Sequence, residues 1–134
     1  MYGALDVSTS ALVAHRTRLE IISANVANSD SLANANGEYD PYRRRFAILA
    51  PGDPKTGSAQ GVHVKSIELD QSPLEMRYEP NHKFANEEGK VGYPNVSTII
   101  ENMNAVEASR AYDANIAAVE ATKSMSSVAL QMIA

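Results

Sequence analysis

The sequence predicts a mainly α protein in which long N- and C-terminal helices pack lengthwise as a coiled-coil-like pair, with a small β insert of short strands between them. Apolar residues recur every seven positions near the start of the chain, and an Ala-rich helical pattern runs to its end. Turn formers and short alternating runs fill the middle. We therefore divide the 134 residues into an N-terminal helix (1–28), a loop and β insert (29–94) and a C-terminal helix (95–134).

The N-terminal helix is predicted from a stripe of apolar side chains. The stripe consists of Leu5, Leu12, Leu19 and Val26, with Ile22 in the alternate position. This spacing is typical of a helix that packs along another helix. Asn28 suits the end of the helix because Asn tolerates the left-handed conformation used there, so the pattern predicts a helix of about 38 Å over residues 3–28.

The middle of the chain is predicted to be loop and short strands. Turn formers occupy residues 29–41. Three strand candidates follow: residues 42–50, which alternate charge and bulk until Pro51 and Gly52 stop the run, residues 61–69, and residues 74–78. The second candidate slips register at Ser66-Ile67, which indicates a bulge. We expect a solvated turn around Lys55 and an extended loop over residues 81–94. Strands this few are marginal alone, so the insert must lean on the helices or on a neighbour.

The C-terminal helix is predicted from a second apolar stripe, about 37 residues and on the order of 55 Å long. Its members are Val96, Ile99, Met103, Val106, Ala114, Ala117, Ala121, Val128 and Met132, and the stripe is interrupted at Arg110 and Ser124. An antiparallel pair would leave much of so long a helix without a partner in its own chain. Because Ala side chains bury little area each, we expect neighbouring copies to supply the remaining contacts.

Composition excludes several classes of function. A net charge of −4 and a pI near 5.3 argue against a nucleic-acid binder, and the one dense basic run, Arg43-Arg44-Arg45, is interpreted as a solvated strand start rather than a phosphate clamp. The chain has no Cys, so disulfides, thiolate nucleophiles and Cys-ligated metals are excluded. No run of residues is apolar enough to cross a bilayer, and the first residues lack the features of a cleaved signal peptide.

No residue pattern predicts chemistry. His15, His63 and His82 share no ligand spacing with one another or with nearby carboxylates, and no Ser lies in a nucleophile-elbow context. We predict no catalytic, cofactor-binding or metal-binding residues, no cofactor and no small-molecule substrate. The chain is not expected to be an enzyme.

Five segments carry a resemblance to a known family. They are Ser23-Ala24-Asn25-Val26-Ala27-Asn28, Tyr78-Glu79-Pro80-Asn81-His82, Ala85-Asn86-Glu87-Glu88-Gly89-Lys90-Val91, Tyr93-Pro94-Asn95-Val96 and Glu107-Ala108-Ser109-Arg110-Ala111-Tyr112-Asp113-Ala114-Asn115. In this order they resemble the bacterial flagellar rod, hook and hook-associated family, and its rod proteins most closely. The resemblance covers nearly the whole chain; the loops over residues 31–40 and 51–59 are the least similar parts.

The resemblance implies a structural subunit of the flagellar basal-body rod. Such subunits are exported by the flagellar type III apparatus without a cleaved signal, and they polymerise in the periplasm with copies of themselves and other rod subunits. Their terminal helices form a helical drive shaft that transmits motor torque for motility, an open assembly built from heterologous contacts. The alternative is a free-standing soluble helical adaptor, which would be well ordered in dilute solution, whereas the terminal stripes of a rod subunit would lack partners before assembly.

We expect the assembly interface to lie on the terminal helices. Asn25 and Asn28 are interpreted as hydrogen-bonding to an adjacent subunit, with simple helix termination as an equal reading for Asn28. Arg110 is interpreted either as binding a residue of another subunit or as forming an ion pair with Asp113. Tyr112 suits a helix–helix interface, because its ring can be buried while its hydroxyl reaches a polar partner. The candidate interface residues are Leu5, Leu12, Leu19, Ile22, Asn25, Val26, Asn28, Ile99, Met103, Val106, Arg110, Tyr112 and Asn115.

Overall fold

The computed structural model describes residues 2–54 and 57–133, and these form two long helices and two β-hairpins. Lys55 and the outermost residues of the predicted segments, Met1 and Ala134, lie outside the described residues. In chain order the elements are α1 (Tyr2–Ala27), β1 (Arg45–Asp53), β2 (Ser58–Leu69), β3 (Glu75–Tyr78), β4 (Lys90–Tyr93) and α2 (Thr98–Ile133). The predicted fold class is confirmed.

The two helices pack antiparallel and differ in length. Asn25 near the end of α1 contacts Glu101 in the first turn of α2, and Arg18 lies 3.7 Å from Glu107 one to two turns further along. The start of α1 lies as many residues before Asn25 as Ser124 lies after Glu101, so in the antiparallel pair the start of α1 is level with Ser124. The last residues of α2, 125–133, therefore extend beyond α1 by about 13 Å at 1.5 Å per residue.

Strands β1 and β2 form hairpin 1, which packs on α1. Ile48 pairs with Ser66 but Leu49 pairs with Val64, so Lys65 is the extra residue of a β-bulge. The predicted slip in register is thus confirmed. The prediction that Pro51 stops the preceding run is wrong: β1 continues through Pro51, opposite Val62, to Asp53. Among the described residues hairpin 1 has two strands, and proline within sheets is found on such edge strands.

Gly61 lets β2 approach α1 closely. Its φ is +91°, and a Cβ built on it would lie 2.8 Å from Ser10 Oγ. That hydroxyl accepts a 3.0 Å hydrogen bond from the backbone N–H of Val62, which ties the strand to the helix. Any side chain at position 61 would be strained and would push β2 away from α1.

Strands β3 and β4 form hairpin 2, with Met76 opposite Gly92. The sequence predicted β3, but the extended loop predicted over residues 81–94 is wrong at its end, where β4 runs from Lys90 to Tyr93. The polar residues before β4 form a hairpin connection in which the Asn86 Oδ1 accepts the backbone N–H groups of Glu88 and Lys90. A four-residue strand containing glycine has too few alternating side chains to be detected from its pattern.

The small core lies where the end of α1 meets the start of α2. Its buried side chains among the described residues are Ala14, Ile21, Ile22, Asn25, Val91, Tyr93, Pro94, Val96, Glu101 and Ala108. Two of these, Asn25 and Glu101, are polar and almost completely inaccessible. The most buried part of the molecule is therefore held together partly by hydrogen bonds between polar side chains.

Candidate functional site

Six polar residues form a connected cluster, which we call the junction network, between the two helices and the base of hairpin 1. They come from four parts of the chain: the end of α1, the segment before β1, the segment after β2, and the segment that leads into α2 with its first turn. The members are Asn25, Tyr42, Arg44, Asp70, Asn95 and Glu101.

Asn25 is the centre of this network, and its side-chain amide is fully hydrogen-bonded within its own chain. Nδ2 donates to the Arg45 carbonyl at 2.8 Å and to Glu101 Oε2 at 3.0 Å. Oδ1 accepts the Arg45 backbone N–H and the Tyr42 hydroxyl, both at 2.9 Å. These four bonds use both donors and both acceptor positions of the amide. The amide that the sequence analysis assigned to an adjacent subunit is thus occupied inside the chain.

Tyr42 serves this cluster as a donor. Burial raises the pKa of its phenol above the ordinary value of 10.0, although the nearby Arg45 acts in the opposite direction. The hydroxyl therefore keeps its proton at neutral pH and can donate to Asn25 Oδ1.

Asn95 holds the other side of the same hairpin base. Its Oδ1 accepts the Arg44 backbone N–H at 2.9 Å, and its Nδ2 donates to the carbonyls of Asp70 and Ser72 at 3.1 and 3.2 Å. Those partners lie before β1 and after β2. Two asparagines, one at the end of α1 and one just before α2, thus fix the chain where it enters and leaves hairpin 1.

Glu101 supplies the negative charge of the network. Its side chain is 1% exposed, Oε1 accepts a 2.7 Å hydrogen bond from Arg44 Nε, and Oε2 accepts from Asn25. Glu101 also lies in the first turn of α2, where the helix dipole favours a carboxylate. A buried carboxylate with both oxygens hydrogen-bonded and a guanidinium beside it is a compensated charge.

The arginine run has an internal role that the sequence analysis did not expect. Arg44 is half-buried, with Glu101 on one side and Asp70 Oδ2 at 3.6 Å on the other. Arg43 NH1 donates to the Ser72 carbonyl at 3.1 Å. Hydrogen bonds from Ser72, and then the nearby Arg44 guanidinium, lower the pKa of Asp70. The interpretation of the run as a solvated strand start is therefore wrong for Arg44, because its charge neutralises Glu101.

The second candidate feature is the side of α2 that faces away from α1. Its residues follow from which side of α2 packs on α1. At about 100° per residue, Glu101, Ala108 and Asn115 lie on the side toward α1. The apolar stripe found in the sequence lies on the opposite side, except for Val96, which precedes α2 and is buried. We call that opposite side the outer face. It consists of Ile99, Met103, Val106, Arg110, Ala114, Ala117, Ala121, Val128 and Met132.

The outer face is uncovered in the single chain. Ile99 is 73% exposed, Met103 68% and Val106 52%. A row of large apolar side chains on the solvent side of a helix is unusual for a monomer, since surface helices usually place polar residues there. The neighbouring side of α2, which carries Ser109 and Glu120, has this ordinary polar character.

The described residues show no sign of a membrane-spanning or metal-binding role. No helix within residues 2–54 or 57–133 is long and apolar enough to cross a membrane. Over the same residues, no group of three or more His, Asp or Glu side chains is arranged to hold a metal ion. The structure therefore directs attention to the junction network and the outer face.

Comparison with known proteins places both features in one family. Residues 5–31 match the family "Flagella basal body rod protein", and residues 87–132 match "Flagellar basal body rod FlgEFG protein C-terminal". The chain is 37% identical to the flagellar basal-body rod protein FlgC of Bacillus subtilis, over 98% of this chain and 97% of that protein. The chain belongs to the FlgC family of flagellar basal-body rod proteins. It is a structural subunit of the flagellar rod, and the family is not one of enzymes.

Two further FlgC proteins show how widely this similarity extends. FlgC of Borreliella burgdorferi is 35% identical over 99% of this chain and 97% of that protein. FlgC of Salmonella typhimurium is 36% identical over 90% of this chain and 88% of that protein. The two matched family segments contain three of the six members of the junction network, Asn25, Asn95 and Glu101, and the whole outer face. The outer face thus lies entirely, and the junction network half, in the family-defining parts of this FlgC-family chain.

The thirteen predicted interface residues differ in how exposed they are in the single chain. Exposed on the outer face are Ile99, Met103, Val106 and Arg110. Half-buried are Leu5, Leu12, Leu19, Val26, Asn28, Tyr112 and Asn115, whereas Ile22 and Asn25 are buried in the chain's own core. Two of the half-buried asparagines bond to their own helices: Asn28 Nδ2 donates to the Ala24 carbonyl and Asn115 Nδ2 to the Ala111 carbonyl, both at 2.8 Å. For Asn28 this geometry matches helix termination.

Sequence reasoning missed Tyr42, Arg44, Asp70, Asn95 and Glu101 as site residues. A partial signal was present, because Asn95 lies in one of the family-like segments and Arg44 in the only dense basic run. Glu101 had none: it follows two isoleucines at the start of a helix, where a carboxylate is ordinarily read as a favourable N-terminal charge.

Proposed function

We propose that the chain polymerises into the flagellar rod through the outer face of α2 and the leucine edge of α1, formed by Leu5, Leu12, Leu19 and Val26. Neighbouring copies and other rod subunits are the partners that would cover these residues. The observation that carries this proposal is the outer face itself, whose large apolar side chains have no cover in the single chain. Burial of apolar surface stabilises by about 25 cal/mol per Å². In an assembly this gain is repeated at every contact between copies, whereas a monomer leaves the row exposed to water.

The junction network gives this subunit a fixed shape. Asn25 and Asn95 hold both ends of hairpin 1 against the helix pair, and Glu101 joins α1, α2 and Arg44. A drive shaft that transmits motor torque needs subunits whose parts do not rotate against one another. We assign this stiffening role to the network, with the helices forming the packed layer and the hairpins lying to one side of them.

We also propose that the subunit reaches the periplasmic rod through the flagellar type III export apparatus, without a cleaved signal peptide. Membership of the flagellar rod family supports this route. Mass spectrometry of the protein recovered from basal bodies would identify its first residue. A product shortened by a signal-peptide length would contradict the proposal, as would unchanged export in cells that lack the flagellar export apparatus.

A pair of glutamate substitutions on α2 tests the assembly surface. Met103→Glu places a charge on the outer face, and Ser109→Glu places the same charge on the polar side of the same helix. Both positions are exposed in the single chain, so neither change should lower its thermal stability appreciably. In a strain that lacks the native gene, Met103→Glu should abolish swimming and rod incorporation, and Ser109→Glu should restore both. Normal swimming with Met103→Glu would show that the outer face is not an interface.

A further inference from the structure

A groove lies between α1 and hairpin 1. It has a volume of about 720 Å³, and its walls include Val7, Ser10, Val13, Thr17, Val62 and Val64. Val13 is 61% exposed and Val7 40% exposed, although both side chains are apolar. We call this site the α1–hairpin groove. Its apolar walls are open to solvent in the single chain.

The groove and the α2 contact are centred on different sides of α1, although Val7 in the groove wall lies on the same side as Asn25. Measured from Arg18 and Asn25, which contact α2, Ser10 lies about 60–80°, Thr17 about 80–100° and Val13 about 120–140° around the helix at 100° per residue. The groove follows α1 from Gly3 to Thr17, whereas residues 125–133 of α2 extend past the start of α1 in the antiparallel pair. The end of α2 would have to leave its helix and fold back to reach the groove of its own copy.

The overhanging end of α2, residues 125–133, is apolar around most of its circumference. We call it the tail. It contains no charged side chain, and its exposed apolar members are Met125, Val128, Leu130, Met132 and Ile133, between 52% and 84% exposed. A helix that is apolar nearly all round is ordinarily enclosed rather than laid on a flat surface. The tail therefore fits a site with walls on more than one side.

We infer that the tail of one copy occupies the α1–hairpin groove of a second copy, an inference that rests on the proposed assembly into a rod. A nine-residue helix is about 13 Å long, and the groove follows α1 from Gly3 to Thr17, about 21 Å, so the length is sufficient. The tail also has no acidic side chain that would repel Asp6 in the groove wall. Each added copy buries one tail and presents one new groove, which is the head-to-tail pattern of an open assembly.

The absence of cysteine from the chain allows a direct test by site-specific crosslinking. Two full-length single-cysteine variants, Val13→Cys in the groove and Val128→Cys on the tail, are mixed at high concentration with an oxidant, one of them carrying a size tag. Ser23→Cys is the matched control for the groove position, because Ser23 is exposed on α1 but lies beyond the groove. The Val13→Cys and Val128→Cys pair should form a mixed disulfide at least about tenfold faster than the Ser23→Cys and Val128→Cys pair, since docking raises the local thiol concentration.

Several outcomes would overturn the inference. Equal crosslinking rates for the two pairs, or none for either, would show that the tail does not enter the groove of a second copy. Val13→Arg fills the groove and should abolish swimming, whereas Ser23→Arg should not. If Val13→Arg abolishes swimming but the groove pair does not crosslink, the groove receives a different protein and the second-copy assignment is wrong. The proposed rod function would survive that result, because it depends on Met103 rather than on Val13.

Discussion

Asn25 Nδ2 donates a 3.0 Å hydrogen bond to Glu101 Oε2, joining the last turns of α1 to the first turn of α2 across seventy-six positions of sequence. Both side chains are almost completely buried, at 0% and 1% exposure. A buried amide and a buried carboxylate are costly unless every polar atom has a partner, and here the Arg44 guanidinium and the Arg45 backbone provide the partners. The contact therefore sets the register of the two helices and connects it to hairpin 1.

Asn25→Ala should destabilise the chain strongly. It removes four hydrogen bonds and leaves the Arg45 backbone, the Tyr42 hydroxyl and one Glu101 oxygen without this partner, each worth about 1–3 kcal/mol when buried and unsatisfied. Urea denaturation should show a loss of roughly 3 kcal/mol or more. Ser23→Ala, an exposed change two residues earlier in α1, is the control and should shift the free energy of unfolding by less than about 0.5 kcal/mol.

Glu101→Ala and Glu107→Ala should differ severalfold in their effect on stability. Glu101 is buried against Arg44 at 2.7 Å, so removing it leaves a half-buried guanidinium with Asp70 alone and should cost about 3–5 kcal/mol. Glu107 is 70% exposed and lies 3.7 Å from Arg18, so its removal should cost less than about 1 kcal/mol. Both are glutamates on α2, and urea midpoints measured under one set of conditions compare them directly. Similar losses would contradict the role assigned to the junction network.

His15 should make the helix pair less stable as the pH falls. Its Nδ1 is buried without a hydrogen-bond partner, and burial, followed by the nearby Arg18, lowers its pKa below the ordinary value of 6.5, with Glu107 opposing. A lowered pKa means that the unfolded chain binds more protons, so stability rises with pH and is lost as the pH falls through 6.5 toward the folded value.

The difference between wild type and His15→Leu in urea midpoint, followed from about pH 8 to about pH 5, measures this effect alone. Wild type should lose more stability than the variant over that range. The lowered pKa of Asp70 does not interfere, because that carboxylate loses its stabilising contribution only below its ordinary value of 3.8. Parallel curves for the two proteins would contradict the prediction.

Deletion of residues 125–134 should separate assembly from folding. Described residues 125–133 extend beyond α1, so the deletion removes little that the rest of the chain contacts and should leave the thermal midpoint nearly unchanged. The shortened protein should nevertheless fail to enter the rod and to support swimming, because its exposed apolar end is gone. Full motility of the shortened chain would show that the tail is dispensable. A large fall in the thermal midpoint would show that it packs within its own copy.

Much of the secondary structure could be predicted from the sequence because it depends on local pattern. The seven-residue stripe predicted α1, and the Ala-rich run predicted an α2 longer than its partner. The slip at Ser66-Ile67 located the bulge at Lys65 to within a residue, because a change in alternation is visible in the chain itself. The five family-like segments were likewise a property of the sequence, and they identified the rod family before any contact was known.

The tertiary structure alone decided which surfaces are free and which polar groups are satisfied. Helix α2 is apolar on two sides, and periodicity cannot state which side packs on α1; the stripe that was easiest to recognise is the outer face. Asn25 was recognised, but its partners lie 17, 20 and 76 positions away and meet it only when the hairpin base closes on the helix pair. The sequence determined both helices, three of the four strands and the family, because those depend on short-range pattern. Long-range packing decided the assembly face and the network, because an asparagine or an apolar stripe has no partner until other parts of the chain are placed beside it.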